Sequence, residues 1–517
     1  MLADVARDFH DRTKHSTVSV RSGGRRMDPS NRPLPVKRYP ELEPIALPVD
    51  WEEPEIGAAA VLAGQAAPDA RPVDLTALAR LLFLCAGVTR TVRFPEQTLA
   101  FRAAPSAGAL YPIEVYVACA DLPDLPAGLY HLEPIAFALH RLRDGDVRGA
   151  LSRAAASDEV ARAPLSLVLT GIPWRTTWKY GARGYRHLFW DAGTILSNAT
   201  VATGAAGWPL HVVTGFVDER VSHLLGLGPP TPFTELPLAV VPVGPRRDHS
   251  APDRELALVD HVVTPLSRQE IPEPDALAAH HAGDLADREA VSDWRRHLIQ
   301  LAPERASATP GVPDAAAGTV EEVILRRGST RRFDLDAHVP RDLLDFGLAA
   351  AARPPGRDTA EAGAGWTQHL VAVHAVTGVD AGAYRWTAAG LERLAADIDR
   401  RRTAHLCLDQ PLGGSSAFTT FHSARLDPLL GAGGARAYRV VQLEAGIAAG
   451  RLQLASFALG AGGTGLTFYD DEVRRRFETD AEPMLVTAIG VPDYEPSPGS
   501  RPDRARPLRT DPHDLLR

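Results

Sequence analysis

Apolar residues recur at helical or β-like spacing along the first half of the chain and predict alternating helices and strands. Between Leu75 and Val88 the apolar positions fall every three or four residues, which predicts a helix ended by Gly87. The run Ile113–Ala118 predicts a strand, and the small-residue stretch 185–206 predicts one long helix. Further strands are predicted at 129–132, 136–139, 163–170 and 238–243.

The second half of the chain repeats features of the first half at a nearly constant offset. The matched features, at offsets of 252 to 254 positions, are Tyr185 with Tyr438, Asp191-Ala-Gly193 with Glu444-Ala-Gly446, Gly207 with Gly460, Gly128-Leu-Tyr130 with Gly382-Ala-Tyr384, and Phe216-Val-Asp218 with Phe468-Tyr-Asp470. A constant offset across several features indicates duplication. Since two copies are too few for a solenoid, the pattern predicts a tandem of one α+β domain.

Composition changes along the chain predict four segments. Residues 1–50 are polar and punctuated by prolines, which predicts a largely irregular N-terminal arm on the body of the protein; a disordered tail is the alternative. Residues 51–265 form the first predicted domain. Residues 266–318, rich in Ala, Pro, Asp and His, predict a linker with one helix around Val291–Leu301, and residues 319–517 form the second domain.

Composition and charge exclude several classes of protein. The chain of 517 residues is 45% hydrophobic and 23% charged, which is typical of a globular protein. A net charge of -8 argues against a nucleic-acid surface. Three separated cysteines predict neither a disulfide scaffold nor a metal site. Because no apolar run has the length of a signal peptide or a membrane helix, we expect a cytoplasmic protein without membrane contact.

A short turn of small residues is the first candidate for chemistry. Pro105 restricts the backbone, while Ser106, Ala107 and Gly108 add almost no side-chain bulk. Main-chain groups and one hydroxyl can therefore approach a flat ligand closely. An ordinary tight turn before a strand is the alternative interpretation.

The segment Trp174–Arg186 is the second candidate, because it places Lys179 beside Tyr180 among aromatic and basic residues. Together with the turn, it resembles the signature of flavin-dependent azoline dehydrogenases, which are nitroreductase-like enzymes that oxidise thiazolines and oxazolines in ribosomal peptides. The resemblance implies that Lys179 and Tyr180 are catalytic, with a lysine of lowered pKa removing a ring proton. An exposed lysine on a polar loop is the commoner case. The chain departs from the family in its long helix, where Gly193-Thr194 and Ser197-Asn198 replace the usual Gly-His and Gln-Asn.

Two stretches of the second half are candidates for holding a flavin. Arg327, Ser329 and Arg331 follow a predicted helix and offer bidentate donors and a hydroxyl to a dianion, although most charge runs are solvated. The string is similar to the first-helix motif of nitroreductases, which implies that these residues hold the phosphate of flavin mononucleotide (FMN). The glycine-rich loop after the second long helix implies, by the same resemblance, that Gly465 and Leu466 place a backbone N–H at flavin N5. A helix C-cap and turn is the alternative there.

Each half lacks what the other half supplies. The first half has only small apolar residues at 57–64, before its Leu75 helix, and the second half has no proline–serine turn at 353–363. In the nitroreductase dimer each flavin lies between two subunits. The resemblance therefore implies an intrachain pseudo-dimer of two nitroreductase folds with one complete site, made by Pro105–Gly108 and the second half. We expect one FMN per chain.

The resemblance implies FMN-dependent oxidation of thiazoline or oxazoline rings to thiazole or oxazole in a ribosomal peptide natural-product precursor. Its partners would be the leader region of that peptide and cyclodehydratase proteins; whether chains associate further stays open. Two alternatives remain at this point. One is a nitro- or quinone-type reductase fed by NAD(P)H, and the other is a non-catalytic scaffold subunit of a peptide-modifying complex.

Overall fold

Each half of the chain folds around its own six-stranded antiparallel sheet, and the two halves pack through their longest helices. The computed structural model describes residues 2–22, 27–93, 98–228, 233–301, 304–305, 310–395 and 397–502. The predicted α+β fold, duplicated in tandem to form an intrachain pseudo-dimer, is confirmed.

The first half contains nine helices and eight strands among its described residues: α1 Leu2–Arg12, α2 Thr17–Arg21, β1 Pro44–Ala46, α3 Ala58–Leu62, α4 Leu75–Ala86, β2 Val88–Arg93, β3 Thr98–Arg102, β4 Ile113–Cys119, β5 Gly128–Glu133, β6 Ala138–Asp144, α5 Arg148–Ala155, α6 Asp158–Arg162, β7 Leu165–Gly171, α7 Pro173–Tyr180, α8 Gly184–Ala205, α9 Asp218–Leu225 and β8 Leu236–Val243. The sheet order is β1-β6-β5-β4-β7-β8, and β2 pairs with β3 as a separate ribbon. The predicted helix at 75–88 and the strands are confirmed, although β6 begins two residues later than predicted and extends to Asp144.

The described residues after 265 also form helices and strands around a six-stranded sheet. Their elements are α10 Pro274–His281, α11 Arg288–Gln300, β9 Glu304–Arg305, α12 Val320–Arg326, α13 Arg341–Ala351, β10 Ala364–Gly365, β11 Thr367–Val373, β12 Gly382–Thr387, β13 Gly390–Arg393, α14 Arg400–Leu406, α15 Pro411–Ser415, β14 Phe418–Ala424, α16 Leu426–Ala458, β15 Gly462–Leu466, α17 Asp470–Arg476 and β16 Glu482–Gly490. The sheet order is β13-β12-β11-β14-β16-β15, and β9 pairs with β10. Residues 266–318 hold two described helices, α10 and α11, and the sequence pattern predicted only the one around Val291–Leu301.

The N-terminal arm is more regular than predicted, because it opens with α1. The apolar face of α1 buries Ala6 and Phe9, and the Phe9 ring meets the rings of Tyr185 and Tyr438 edge-on. The prolines that suggested an irregular arm all follow this helix, between positions 29 and 48. The prediction of a largely irregular arm is therefore wrong for residues 2–12 and 17–21, which form α1 and α2.

Reciprocal ion pairs join the two halves. Each half contributes an arginine pair that binds an aspartate of the other half: Arg183 and Arg186 bind Asp470, and Arg436 and Arg439 bind Asp218, with the closest N–O distances between 2.6 and 3.0 Å. All six side chains are buried. Because the partners sit at offsets of 252 and 253, these contacts obey an approximate two-fold symmetry. Among the residues listed above, no helix has both the length and the apolar content needed to cross a membrane.

Candidate functional site

The turn at residues 105–108 begins a loop that runs to residue 111, and two residues of this loop have strained backbone conformations. Ser106 Oγ accepts a hydrogen bond from the Tyr111 N–H at 2.9 Å. Ala109 and Tyr111 have φ values of 53° and 47°, a left-handed region that costs a non-glycine residue of the order of 1 kcal/mol or more. Backbone strain of this kind concentrates at functional sites. The strain persists here because two hydrogen bonds hold Tyr111: its N–H donates to Ser106 Oγ, and its hydroxyl accepts from the Arg102 N–H at 3.0 Å.

The loop meets the C-terminal end of α7, where Lys179 and Tyr180 lie. Gly108 has a φ of 64°, and a Cβ built on it would lie 2.7 Å from Tyr180 Oη and 3.1 Å from Lys179 Nζ. The positive φ favours glycine here, and a larger residue would have to displace the ends of these two side chains. The helix ends at Gly181, whose φ of 56° and ψ of -149° turn the chain into α8. The structure thus brings the two motifs of the first half into contact.

Tyr180 and Lys179 have different surroundings. The Tyr180 ring stacks on His187 with 4.3 Å between centroids and an interplanar angle of 8°. Burial and the nearby Asp191 raise the pKa of Tyr180, so its phenol stays protonated. Lys179 is exposed at the end of α7, and the burial of part of its side chain together with the charge of Arg32 lowers the pKa of its amine.

Lysine is rare in this chain, which has three: Lys14, Lys37 and Lys179. Lys14 forms an ion pair with Asp471, and Lys37 is buried against Glu235, with N–O distances of 3.0 and 2.7 Å. Lys179 instead lies over the Tyr180 ring, 5.2 Å from its centroid. A lysine can act as a base where an arginine cannot, because guanidinium does not lose its proton in proteins.

Asp191 on α8 closes the inner side of the loop. It accepts hydrogen bonds from Ser106 Oγ at 2.5 Å and from the Ala107 N–H at 3.2 Å. Burial raises the pKa of its carboxyl to about 7, with the two hydrogen bonds opposing the shift. A narrow cavity runs beneath the loop, and its lining includes Cys85, Arg102, Ser106, Tyr111, Asp191 and Ile195. A wider, open cavity of about 810 Å³ lies elsewhere, between residues 52–56 and 67–71.

Arg327 reaches from the second half into the first half. Its Nε and Nη2 donate to the carbonyl oxygen of Ala103, at 3.2 and 3.0 Å, two residues before Pro105. The side chain is buried, its Nη1 has no hydrogen-bond partner among the residues that the structure describes, and burial lowers its pKa to about 10. A buried guanidinium with an unsatisfied donor is costly unless an anion completes it.

The other predicted flavin contacts of the second half lie along the same edge. Ser329 forms a parallel bridge with Gly463 on β15, which connects the Arg327 segment to the glycine-rich stretch. Arg331 is exposed, and its backbone N–H donates to the Tyr494 hydroxyl at 3.1 Å. Gly465 and Leu466 were predicted in a loop, and this is wrong: they form the end of β15, at the edge of the second sheet, because that stretch pairs with β16.

Residues 353–363 of the second half fill the place equivalent to the loop region on the other side of the pseudo-dimer. Glu444, which is equivalent to Asp191 at an offset of 253, binds the Arg357 guanidinium and accepts from the Thr367 N–H at 2.6 Å. The Arg357 side chain also lies over the Trp366 ring, 4.9 Å from its centroid. A buried ion pair therefore stands where the first half has a carboxyl facing a cavity.

Backbone donors on that side are occupied as well. Thr214 and Gly215 donate their N–H groups to the Asp358 carboxylate at 3.0 and 2.8 Å. At the offset of 252 seen for Phe216, Thr214 is equivalent to Leu466. The reciprocal place thus has its N–H donors bound to a carboxylate of the chain itself.

Several residues of the site were not predicted from the sequence. Asp191 served only as a marker of the repeat, and His187 was not singled out. The positions of the second half equivalent to the Lys-Tyr pair are Ala432 and Gly433, because the following Gly434 has a φ of 59° and a ψ of -159°, close to the values at Gly181. Applying the offset of 253 to the pair would have found these positions.

Comparison with known proteins assigns the chain to a family. Residues 69–244 and 324–491 both match the Nitroreductase family. The chain belongs to the nitroreductase family and carries its domain twice.

Individual relatives agree with this assignment. The chain is 31% identical over 174 residues to MJ1384 of Methanocaldococcus jannaschii, a protein named as a nitroreductase, and the match covers 34% of this chain and 81% of that protein. It is 27% identical over 139 residues to the microcin B17-processing protein McbC of Escherichia coli, across 26% of this chain and 51% of McbC, about half its length. A crystal structure of a protein described as a nitroreductase from Anabaena variabilis aligns with a TM-score of 0.74 at 24% identity, covering 94% of this chain and 99% of that one. At that identity the similarity shows the fold.

The residues present fit an FMN phosphate between the halves. The unsatisfied Nη1 of Arg327 is a buried donor, and the Arg90 guanidinium lies near enough for its charge to lower the pKa of Arg327. Arginine side chains that offer free N–H donors are typical of phosphate-binding sites.

Proposed function

We propose that this chain is an FMN-dependent dehydrogenase that oxidises thiazoline or oxazoline rings to thiazole or oxazole in a ribosomal peptide natural-product precursor. The contact of Gly108 with Lys179 and Tyr180 carries the proposal, because it joins in one place two motifs that are 71 positions apart in the sequence. The match to a microcin-processing protein supports a peptide substrate.

The chemistry asks for one proton and one hydride to leave the ring. Bound FMN would supply a two-electron acceptor for the hydride, with molecular oxygen as the terminal oxidant, reduced to hydrogen peroxide. Lys179 accepts the ring proton, because its lowered pKa leaves a larger share of the amine free at neutral pH. Tyr180 stays protonated, since its pKa is raised, and its hydroxyl donates a hydrogen bond that orients the ring.

Both halves hold the cofactor in this proposal. Arg327, Ser329 and Arg331 bind the phosphate, Gly465 and Leu466 offer backbone donors near flavin N5, and Pro105–Gly108 covers the flavin from the first half. The ion pair of Glu444 with Arg357 supports one FMN per chain, because it fills the reciprocal place.

The proposal extends to domains, partners and location. Residues 1–50 are the arm, 51–265 the first domain, 266–318 the linker and 319–517 the second domain. The partners are the leader region of the peptide and cyclodehydratase proteins, and the protein acts in the cytoplasm. The segment bounds rest on the changes of composition along the sequence, and the partners rest on the family resemblance.

The test combines flavin content with turnover. We expect the purified protein to show a flavin absorbance spectrum and to release about one FMN per chain on denaturation, since one complete site is built. A synthetic peptide carrying one thiazoline should lose two hydrogens by mass spectrometry, with hydrogen peroxide formed in equal amount. Lys179→Arg, which keeps the charge but cannot act as a base, should lose turnover and keep FMN. Lys14→Arg, at the ion pairs with Asp471 and Glu482, is the matched control.

A nitro- or quinone-type reductase fed by NAD(P)H is the second candidate, and the relative named as a nitroreductase favours it. Reduction of a nitro group or quinone does not require a base that removes a ring proton. The Lys179→Arg variant should therefore keep most of such a reductase activity. A colourless protein that takes up no FMN would instead favour the scaffold interpretation.

A further inference from the structure

Asp191 holds the inner face of the loop from one turn of α8. Its two carboxyl oxygens accept from Ser106 Oγ at 2.5 Å and from the Ala107 N–H at 3.2 Å. Thr194, three residues further along the helix, donates from Oγ1 to the Pro105 carbonyl oxygen at 3.0 Å. Asp191 is 5% exposed and Thr194 is 6% exposed. One buried helix turn therefore binds three consecutive residues of the loop.

The hydrogen bonds that start at Asp191 extend to the strained part of the loop. Ser106 Oγ, which donates to Asp191, also accepts from the Tyr111 N–H at 2.9 Å. Tyr111 keeps a positive φ, and Gly108 between them lies against Tyr180 and Lys179. Asp191 is thus connected to the candidate catalytic pair through Ser106 and the backbone it fixes.

Glu444, the equivalent carboxyl in the second half, forms an ion pair instead of binding a loop. Glu444 is neutralised by Arg357, whereas in the described part of the chain Asp191 receives only a hydroxyl and a backbone N–H. Burying a carboxyl without a cation costs stability, and burial raises the pKa of Asp191 to about 7. An ionisable group kept in that state beside a cavity is a candidate for a functional role.

We propose that Asp191 is a positioning residue that fixes Ser106 and Ala107 so that Gly108 is held against Tyr180 and Lys179. The inference rests on the proposed function for its effect on turnover, but the hold itself is independent of the substrate. Asn at this position can accept from the Ala107 N–H and donate to Ser106 Oγ, which has a free lone pair. Ala can do neither.

The experiment measures hydrogen exchange at single backbone amides, together with turnover of the thiazoline peptide by the full chain. Four variants are compared with the unchanged protein: Asp191→Ala, Asp191→Asn, Ser106→Ala and Thr194→Val. The amides read are those of Ala107, bonded to Asp191, and Tyr111, bonded to Ser106. Amides of β7 report whether a variant loosens the whole domain.

The pattern of exchange is specific to the proposed hold. Asp191→Ala should speed exchange at Ala107 and Tyr111 by about tenfold or more while β7 stays slow, and should lower kcat by a similar factor with a smaller change in KM. Ser106→Ala should speed exchange at Tyr111 and spare Ala107. Asp191→Asn should keep both amides slow and retain most of the turnover, and Thr194→Val should leave both amides slow.

The outcomes separate the two proposals. Unchanged exchange at Ala107 in Asp191→Ala overturns the positioning role, whatever happens to turnover. Equal loss in Asp191→Asn and Asp191→Ala also overturns it, because the charge rather than the hold would then matter. If the unchanged protein does not oxidise the peptide, the proposed function fails, while exchange at the two amides still decides the role of Asp191.

Discussion

Gly193 and Gly446 lie in contact where α8 crosses α16. A Cβ on Gly193 would lie 2.6 Å from the Gly446 Cα, and a Cβ on Gly446 would lie 2.5 Å from the Trp190 carbonyl oxygen. The two glycines are equivalent at the offset of 253, so each meets its own counterpart, as residues on a two-fold axis do. The tandem chain therefore preserves the central contact of a symmetric dimer.

The first prediction concerns this crossing. Gly446→Val should lower the free energy of unfolding by about 3 kcal/mol or more, because the added atoms meet backbone that cannot move aside. Urea denaturation followed by circular dichroism measures it. Gly431→Ala is the matched control in the same helix, since its Cβ would point into open space; it should be neutral or stabilising by up to about 1 kcal/mol. Similar effects of both variants would contradict the packing argument.

The second prediction separates proton transfer from flavin binding. Lys179→Arg should lower kcat on the thiazoline peptide by a factor of about 100 or more, in the range that general bases contribute. Tyr180→Phe should lower it less, because it removes a donor while keeping the ring that stacks on His187. FMN content per chain should be unchanged in both. A Lys179→Arg protein with full turnover would remove the lysine from the mechanism.

The fold was largely predictable because its signals are local or repeated. The helix at Leu75 and the strand at Ile113 follow from periodicity, and the tandem follows from the constant offset. Strand β15 was not predictable, since Gly462-Gly-Thr-Gly-Leu466 has little β propensity and is held by pairing with β16. Tertiary contacts decided its structure.

The candidate site was predictable only where motifs carry it. The proline–serine turn and the Lys-Tyr pair stood out, but their contact at Gly108 depends on how α7 ends at Gly181. Asp191 and His187 looked like ordinary residues of a long helix, because their role comes from the loop and ring packed on them. Side chains that act through tertiary packing leave no local signal.

The third prediction ranks the contributions of Arg327 and Arg331 to FMN binding. Arg327→Ala should weaken FMN binding by about tenfold to a hundredfold, as expected for loss of a charge-assisted hydrogen bond. Arg331→Ala should have a smaller effect, because Arg331 is exposed whereas Arg327 is buried with an unpaired Nη1. Fluorescence titration of the FMN-free protein measures the dissociation constants.

Arg326→Ala is the control for these variants, since Arg326 is exposed and donates to the Ala317 carbonyl at 3.0 Å. It should bind FMN as the unchanged protein does. Equal losses at Arg326 and Arg327 would show that general positive charge, rather than a built site, attracts the cofactor.

The fourth prediction concerns the pH dependence of stability through Asp191. Its folded-state pKa of about 7 lies above the unfolded value, so the stabilisation is complete below pH ~4 and is lost as the pH rises to about 7. Between these values Asp191→Asn should gain stability relative to the unchanged protein by about 1.4 kcal/mol per pH unit at most. Tyr111 and Tyr180 face the same carboxyl and Arg102 lines the same cavity, but none of these groups changes charge in this window. Parallel urea midpoints of both proteins from pH 5 to 8 would contradict the burial of an uncompensated carboxyl.

The last prediction concerns the filled reciprocal place. Arg357→Leu leaves the buried Glu444 without its cation and should cost about 3–5 kcal/mol of unfolding free energy. The double variant Arg357→Leu/Glu444→Leu should recover much of that loss, because a buried ion pair replaced by apolar residues of similar size is often neutral. Both proteins should still bind one FMN, since residues 57–64 supply no phosphate donor beyond backbone. A second FMN in either variant would mean that the ion pair alone had kept an otherwise complete site closed, and that the two halves are more alike than their sequences indicate.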